Sequence, residues 1–135
     1  MGPRTFVSFD YDNDENEKNL FIGQSKNSRT PFEITDWSSK SSLPQSQWER
    51  LVKDKINRCS LMIVLVGQSM RSAVGVEKEI NMAQQQDVPF FGVYVDGANQ
   101  YCALPYGLKE NRIIHWNWNN IANAIDQMMT EGKNR

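Results

Sequence analysis

The chain has 135 residues, 39% hydrophobic and 23% charged, the size and balance of one globular domain rather than of a disordered or fibrous chain. With 15 basic and 16 acidic residues the net charge is −1, which gives no bulk attraction to nucleic acid or to an anionic membrane. The first residues lack the apolar stretch of a secretory signal, and the longest apolar run, Leu61 to Val66, is too short to cross a bilayer, so a cytoplasmic protein is expected.

Strand and helix signals alternate along the chain. Arg4 to Phe9 reads as a first strand that runs into the acidic segment Asp10 to Glu17. Asp14 followed by Glu17 has the spacing of a capping box, which predicts a helix carrying Leu20, Phe21 and Ile22. Pro31 to Thr35 reads as a short second strand, and Asp36 to Ser46, rich in Ser with one Pro, as a loop. Trp48, Leu51, Val52 and Ile56 then fall on one face of a second helix, with Glu49 and Lys53 one turn apart as an ion pair.

Leu61 to Val66 has no polar alternation, which predicts a central strand covered on both faces. Gly67 ends it, a loop holds Ser69 and Ser72, and Val76, Ile80 and Ala83 mark the buried face of a third helix. Phe90 to Val95 is another apolar strand, closed by Asp96-Gly97, and a long connection with Pro105 and Gly107 leads to a short last strand over Arg112 to Trp116. Trp118, Ile121, Ala122, Ile125, Met128 and Met129 repeat at helical spacing, and the polar tail from Glu131 to Arg135 is expected to fray.

Strands and helices taking turns in this way predict one α/β domain over residues 1–135, a five-stranded, mostly parallel sheet of flavodoxin-like shape with helices on both faces. In such a sheet the ligand crevice lies beyond the carboxyl ends of the strands. Phe9 and Asp10, Asp36 and Trp37, Gln68 and Ser69, and Asp96 stand at those ends. On the third helix, at about 100° per residue, Glu79 sits roughly 65° from the centre of the buried face while Lys78 points away. A carboxylate on that shoulder, near a strand-end loop, suits ligand binding or glycosyl chemistry; a carboxylate that merely complements the helix dipole has the same spacing.

Cys59 and Cys102 are far apart in sequence, without a Cys-x-x-Cys pair, and there is one His, so neither a zinc site nor a disulfide framework is expected. The acidic run from Asp10 lacks the spacing of a calcium loop, and no metal or bound cofactor is expected. A glycine-rich phosphate loop is absent, and the acidic first loop argues against a flavin phosphate. Trp48, Trp116 and Trp118 read as core aromatics, the Met residues as core filling, and His115 as structural.

Three segments, Phe6-Val7-Ser8-Phe9-Asp10-Tyr11, Asp36-Trp37-Ser38 and Gly75-Val76-Glu77-Lys78-Glu79-Ile80, together resemble the TIR-like family of bacterial Thoeris anti-phage systems, the ThsB type. That resemblance implies cleavage of NAD at the nicotinamide–ribose bond to form an ADP-ribose-type signal for an effector protein, with NAD as substrate rather than cofactor, and a pocket completed by self-association. It implies Glu79 as the catalytic carboxylate, Ser8, Phe9 and Asp10 at the nucleotide pocket, Ser69 near the ribose, and Asp36 and Trp37 in a covering loop. Gly75 departs from the Trp that many TIR domains carry just before the Val of this helix, so aromatic packing on the substrate is absent there or comes from Trp37. The alternative is a non-catalytic TIR-like or receiver-like interaction module. A receiver would need a phospho-accepting Asp after the central strand, where this chain reads Val66-Gly67-Gln68.

Overall fold

A computed structural model describes residues 3–27, 32–38 and 43–131. Its core is a parallel sheet in the order β2-β1-β3-β4-β5, formed by β1 (Arg4–Ser8), β2 (Glu33–Trp37), β3 (Leu61–Val66), β4 (Phe90–Tyr94) and β5 (Ile113–Ile114). Between them run α1 (Glu15–Asn27), α2 (Gln45–Asn57) and α3 (Val74–Gln85), and α4 (Trp118–Glu131) follows the last strand. Every strand pair is parallel, which is the doubly wound, flavodoxin-like arrangement expected from the alternation.

Side chains on a strand point alternately to the two faces, and β3 feeds both halves of the core in this way. Met62, Val64 and Val66 join Val52 and Ile56 of α2 and Val76, Ile80 and Ala83 of α3 on one face. Leu61, Ile63 and Leu65 join Phe21 of α1 and Ile121, Ile125 and Met128 of α4 on the other. All six β3 residues are fully buried, as an unbroken apolar run predicts.

Several boundaries differ from the sequence reading. β1 stops at Ser8 and β4 at Tyr94, and β5 is only Ile113–Ile114 rather than Arg112 to Trp116. Leu51 lies on the exposed side of α2 and Met129 on that of α4, so neither belongs to the buried stripe. The Glu49 carboxylate accepts from Gln45 and Lys78 instead of pairing within its own helix with Lys53, which ties α2 to α3. Pro31 and most of the polar tail lie outside the described residues.

The largest correction concerns β2, which includes Asp36 and Trp37 rather than ending at Thr35. Its register against β1 shifts once: Thr5 faces Ile34, while the next residue, Phe6, faces Asp36, so Thr35 is the extra residue of a bulge. The contacts of the bulged segment follow. Thr35 Oγ1 lies 3.4 Å from Cys59 Sγ and Asp36 pairs with Lys55 of α2 at 3.6 Å, so two successive side chains face the α2/α3 side. Trp37 then turns to the other side, beneath Lys18 of α1, and Ser38 returns to the α3 side. The bulge thereby aims Ser38 at α3.

Candidate active site

Ser8 ends β1 on the same face as Phe6, toward α3, and the bulge brings Ser38 to the same place from β2. Both hydroxyls donate to one oxygen of Glu79, Oε1, each at 2.6 Å. The Phe9 N–H in turn donates to Ser38 Oγ at 3.1 Å, leaving the serine proton committed to the carboxylate. Glu79 therefore lies deeper than its angular position suggested: it is only 1% exposed, inside the domain rather than on the shoulder of the helix.

Its second oxygen, Oε2, is buried and has no hydrogen-bond partner among the described residues. Burial pushes the Glu79 carboxyl up to about 7, against the opposing pull of the Ser38 and Ser8 hydroxyls and of the Lys55 charge. Near neutral pH the group is thus divided between acid and carboxylate. Removing the hydroxyls as Ser8→Ala or Ser38→Ala is expected to raise this value further, each change moving the titration of the labelled Glu79 carboxyl carbon, followed by NMR, to higher pH. A midpoint unchanged in both variants would contradict the assigned bonds.

Glu79 lines a cavity of about 350 Å³ beyond the carboxyl ends of β1 and β2, toward the low end of the range for small-molecule sites. One wall is Phe9, Asp10, Tyr11 and Asp12; the other is the start of α3, with Ala73, Val74, Gly75, Val76, Lys78 and Glu79. Ser38, Leu43, Gln45 and Trp48 complete the lining, so Trp48 serves both the core and the cavity. The acidic wall is held rigidly, because Asp10 organises its own loop: Oδ1 accepts the Asp12 N–H at 3.2 Å and Oδ2 accepts the Asn13 amide at 2.7 Å.

Ser8, Phe9, Asp10 and Glu79 are thus gathered at one place, whereas three other sequence candidates stand apart. Asp36 and Trp37 are in β2, engaged with Lys55 and Lys18, and neither lines the cavity. Trp37 therefore does not replace the aromatic ring missing at Gly75 in this conformation. Ser69, half-buried at the start of a short turn (Met70–Ser72), also lies outside the lining. Sequence reasoning passed over Ser38 as a site residue, although it closes the Asp36-Trp37-Ser38 segment immediately after a strand. No cluster of three or more His, Cys, Asp or Glu residues suited to a metal ion occurs among the described residues. No described helix is long and apolar enough to cross a membrane.

Next to the cavity, Asp14 precedes α1 as the capping reading expects, and its carbonyl accepts the Lys18 N–H at 3.0 Å. Its carboxylate packs against the Cα of Gly67 at the end of β3, in the space a side chain there would occupy. Asp14 Oδ2 is buried without a partner among the described residues. Burial, then the charges of Asp10, Glu17 and Asp96, raise this carboxyl to about 6. The position where a receiver carries its phospho-accepting Asp is therefore a glycine covered by a carboxylate from another loop.

The family described as "Thoeris protein ThsB, TIR-like domain" matches residues 6–100, from β1 through the turn after β4, and so includes every residue of the Glu79 cluster. The chain belongs to this family. A crystal structure of a prokaryotic SEFIR domain is similar over 96% of this chain and 92% of that one, with a TM-score of 0.51 and 16% identity, a likeness of fold alone. No curated protein sequence matches the chain significantly. Within the ThsB TIR-like family the matched segment ends before β5 and α4, which complete the sheet and one of its helical faces without touching the cavity.

Proposed function

We propose that this TIR-like domain serves anti-phage defence by cleaving NAD at the nicotinamide–ribose bond, yielding an ADP-ribose-derived signal for an effector protein. The observation that carries the reading is the Glu79 carboxylate, fixed through one oxygen by two serines, its other oxygen buried without a partner among the described residues, on a residue that lines a cavity in a chain of this family.

The chemistry needs few groups. In NAD the nicotinamide nitrogen is already cationic, so when the C1′–N bond breaks the electron pair neutralises the leaving ring and no acid has to protonate it. The positive charge passes to the ribose as an oxocarbenium-like centre, which an ionised carboxylate stabilises, either directly or through the ribose hydroxyls. In this reading Glu79 takes one of these roles, while Ser8 and Ser38 hold Oε1 and oppose the burial that favours the protonated acid. Water or a hydroxyl of the same molecule then bonds to C1′ and releases a proton, giving the open or the cyclised product.

Concentrated wild-type protein and Glu79→Gln, incubated with NAD and analysed by chromatography, test this directly, with a parallel pair in lysate of phage-infected cells. The expected result is nicotinamide release by the wild type, rising between pH 6 and 8 as Glu79 ionises, and a loss of about 100-fold or more in the variant. Equal release by the two proteins would overturn the catalytic reading. Defence that persists in both without NAD loss would point instead to an interaction module.

A further inference from the structure

The first turn of α3 contributes more to the cavity than the backbone beneath Glu79. Helix α3 has 12 residues, and its N-cap residue, Ala73, makes no side-chain cap hydrogen bond. The first helical amides, those of Val74, Gly75 and Val76, have no acceptor within a helix and none among the described residues. All three residues line the cavity, Val74 and Gly75 on its exposed side. A Cβ built on Gly75 meets nothing within 4 Å, so packing does not demand glycine there, and the missing side chain leaves the amides open to the cavity. Glu79 lies one helical turn deeper on the same face, a rise of about 6 Å. That separation is comparable to the reach from a ribose anomeric carbon to its 5′-phosphate.

The charges around the cavity point the same way. The wall opposite α3 carries Asp10 and Asp12, so an anion has one favourable wall, the helix amino end with Lys78 beside it. Lys78 Nζ lies 3.2 Å from Glu49, so its charge is partly engaged and the amides are the principal donors. Independently of the helix end, Glu79 lines this cavity with a carboxylate 1% exposed whose Oε2 has no partner among the described residues, an acceptor that a ligand's donor would satisfy. A volume of about 350 Å³ suits one nucleoside better than a whole dinucleotide, which leaves the phosphates at the mouth.

We propose that the Val74, Gly75 and Val76 amides at the amino end of α3 bind the pyrophosphate of the dinucleotide at the cavity mouth, with the nicotinamide riboside inward toward Glu79 and the acidic wall. This orientation rests on the NAD reading of the cavity; the anion site itself does not. It also accounts for Gly75, because a large aromatic side chain at that position would cover the amides that the phosphate needs.

The test follows backbone amide signals by NMR during titration with inorganic pyrophosphate and, separately, with nicotinamide riboside, for the wild type and Gly75→Asp. An acidic residue in the first helical turn favours the helix, so the variant retains α3 while presenting a charge that repels the anion. The expected result is pyrophosphate shifts centred on Val74, Gly75 and Val76, binding at least 10-fold weaker in Gly75→Asp, and riboside affinity changed less than 3-fold. Pyrophosphate shifts centred elsewhere in the wild type, or equal pyrophosphate affinity in the two proteins, would overturn the proposal. Pyrophosphate binding as expected, with no riboside binding and no NAD cleavage, would keep the anion site and remove the NAD reading.

Discussion

Glu79→Gln is expected to be more stable than the wild type at pH 8, by about 2–3 kcal/mol, and nearly equal to it at pH 5. The folded-state value of the carboxyl is raised from 4.5 to about 7 by burial. A raised value means that the folded protein holds the proton more tightly than the unfolded chain does. The stability linked to it is therefore complete below about 4.5 and is lost as pH rises through about 7, where the buried group ionises. Glutamine keeps a carbonyl for the two serines and never ionises, so it escapes that loss. Asp14 adds a dependence of the same sign, with its value near 6, but it is present in both proteins and cancels in the comparison. Urea denaturation at the two pH values measures the difference, and a gap that does not change with pH would refute the account. Read with the loss of nicotinamide release, a stability gain would show a group kept at a cost to the fold, as functional carboxylates commonly are.

Gly67→Ala is expected to destabilise the domain by about 2 kcal/mol, within the usual range for overpacking. The new methyl would occupy the place of the Asp14 carboxyl group, which has little room to move because Asp14 is 1% exposed. The decisive measurement is a double-mutant cycle with Asp14→Ala, which clears the space. Gly67→Ala in that background should cost much less, a coupling of about 1 kcal/mol or more. An undiminished cost would place the difficulty in the β3 backbone instead. The effect bears on the site indirectly, since Asp14 closes the same loop that supplies Phe9, Asp10 and Asp12 to the cavity wall.

What was legible in the sequence was what depends on near neighbours. The unbroken run from Leu61 to Val66 announced a central strand, and Ile121, Ile125 and Met128 gave the buried stripe of α4. Glu79 was found, but its depth was not, because the groups that hold it come from 71 and 41 residues away. Helical spacing reports only the neighbours on its own helix. Ser38 escaped as a site residue for a related reason: strand alternation predicts a facing only while the register is unbroken, and the shift beside Thr35 has no local signature. Leu51 was misread because an apolar residue on the edge of a stripe satisfies the helical period whether or not a neighbour covers it. Similarly, Glu49 found its cation on α3 rather than one turn along α2.

The bulge in β2 makes the site sensitive to strand register in a manner that composition does not reveal. Between the residue that faces Thr5 and the serine that meets Glu79, the strand contains one side chain more than simple alternation requires. Were the same residues paired without the bulge, with Thr35 rather than Asp36 opposite Phe6, the two sides of the strand end would be exchanged, sending the serine toward Lys18 and α1 and leaving Trp37 to confront the buried carboxylate. The register shift, rather than the identity of the intervening residues, decides whether the hydroxyl arrives. Loss of Thr35 alone would leave a regular strand that still delivers the serine to Glu79, whereas a strand of the present length reaches it only by keeping the bulge.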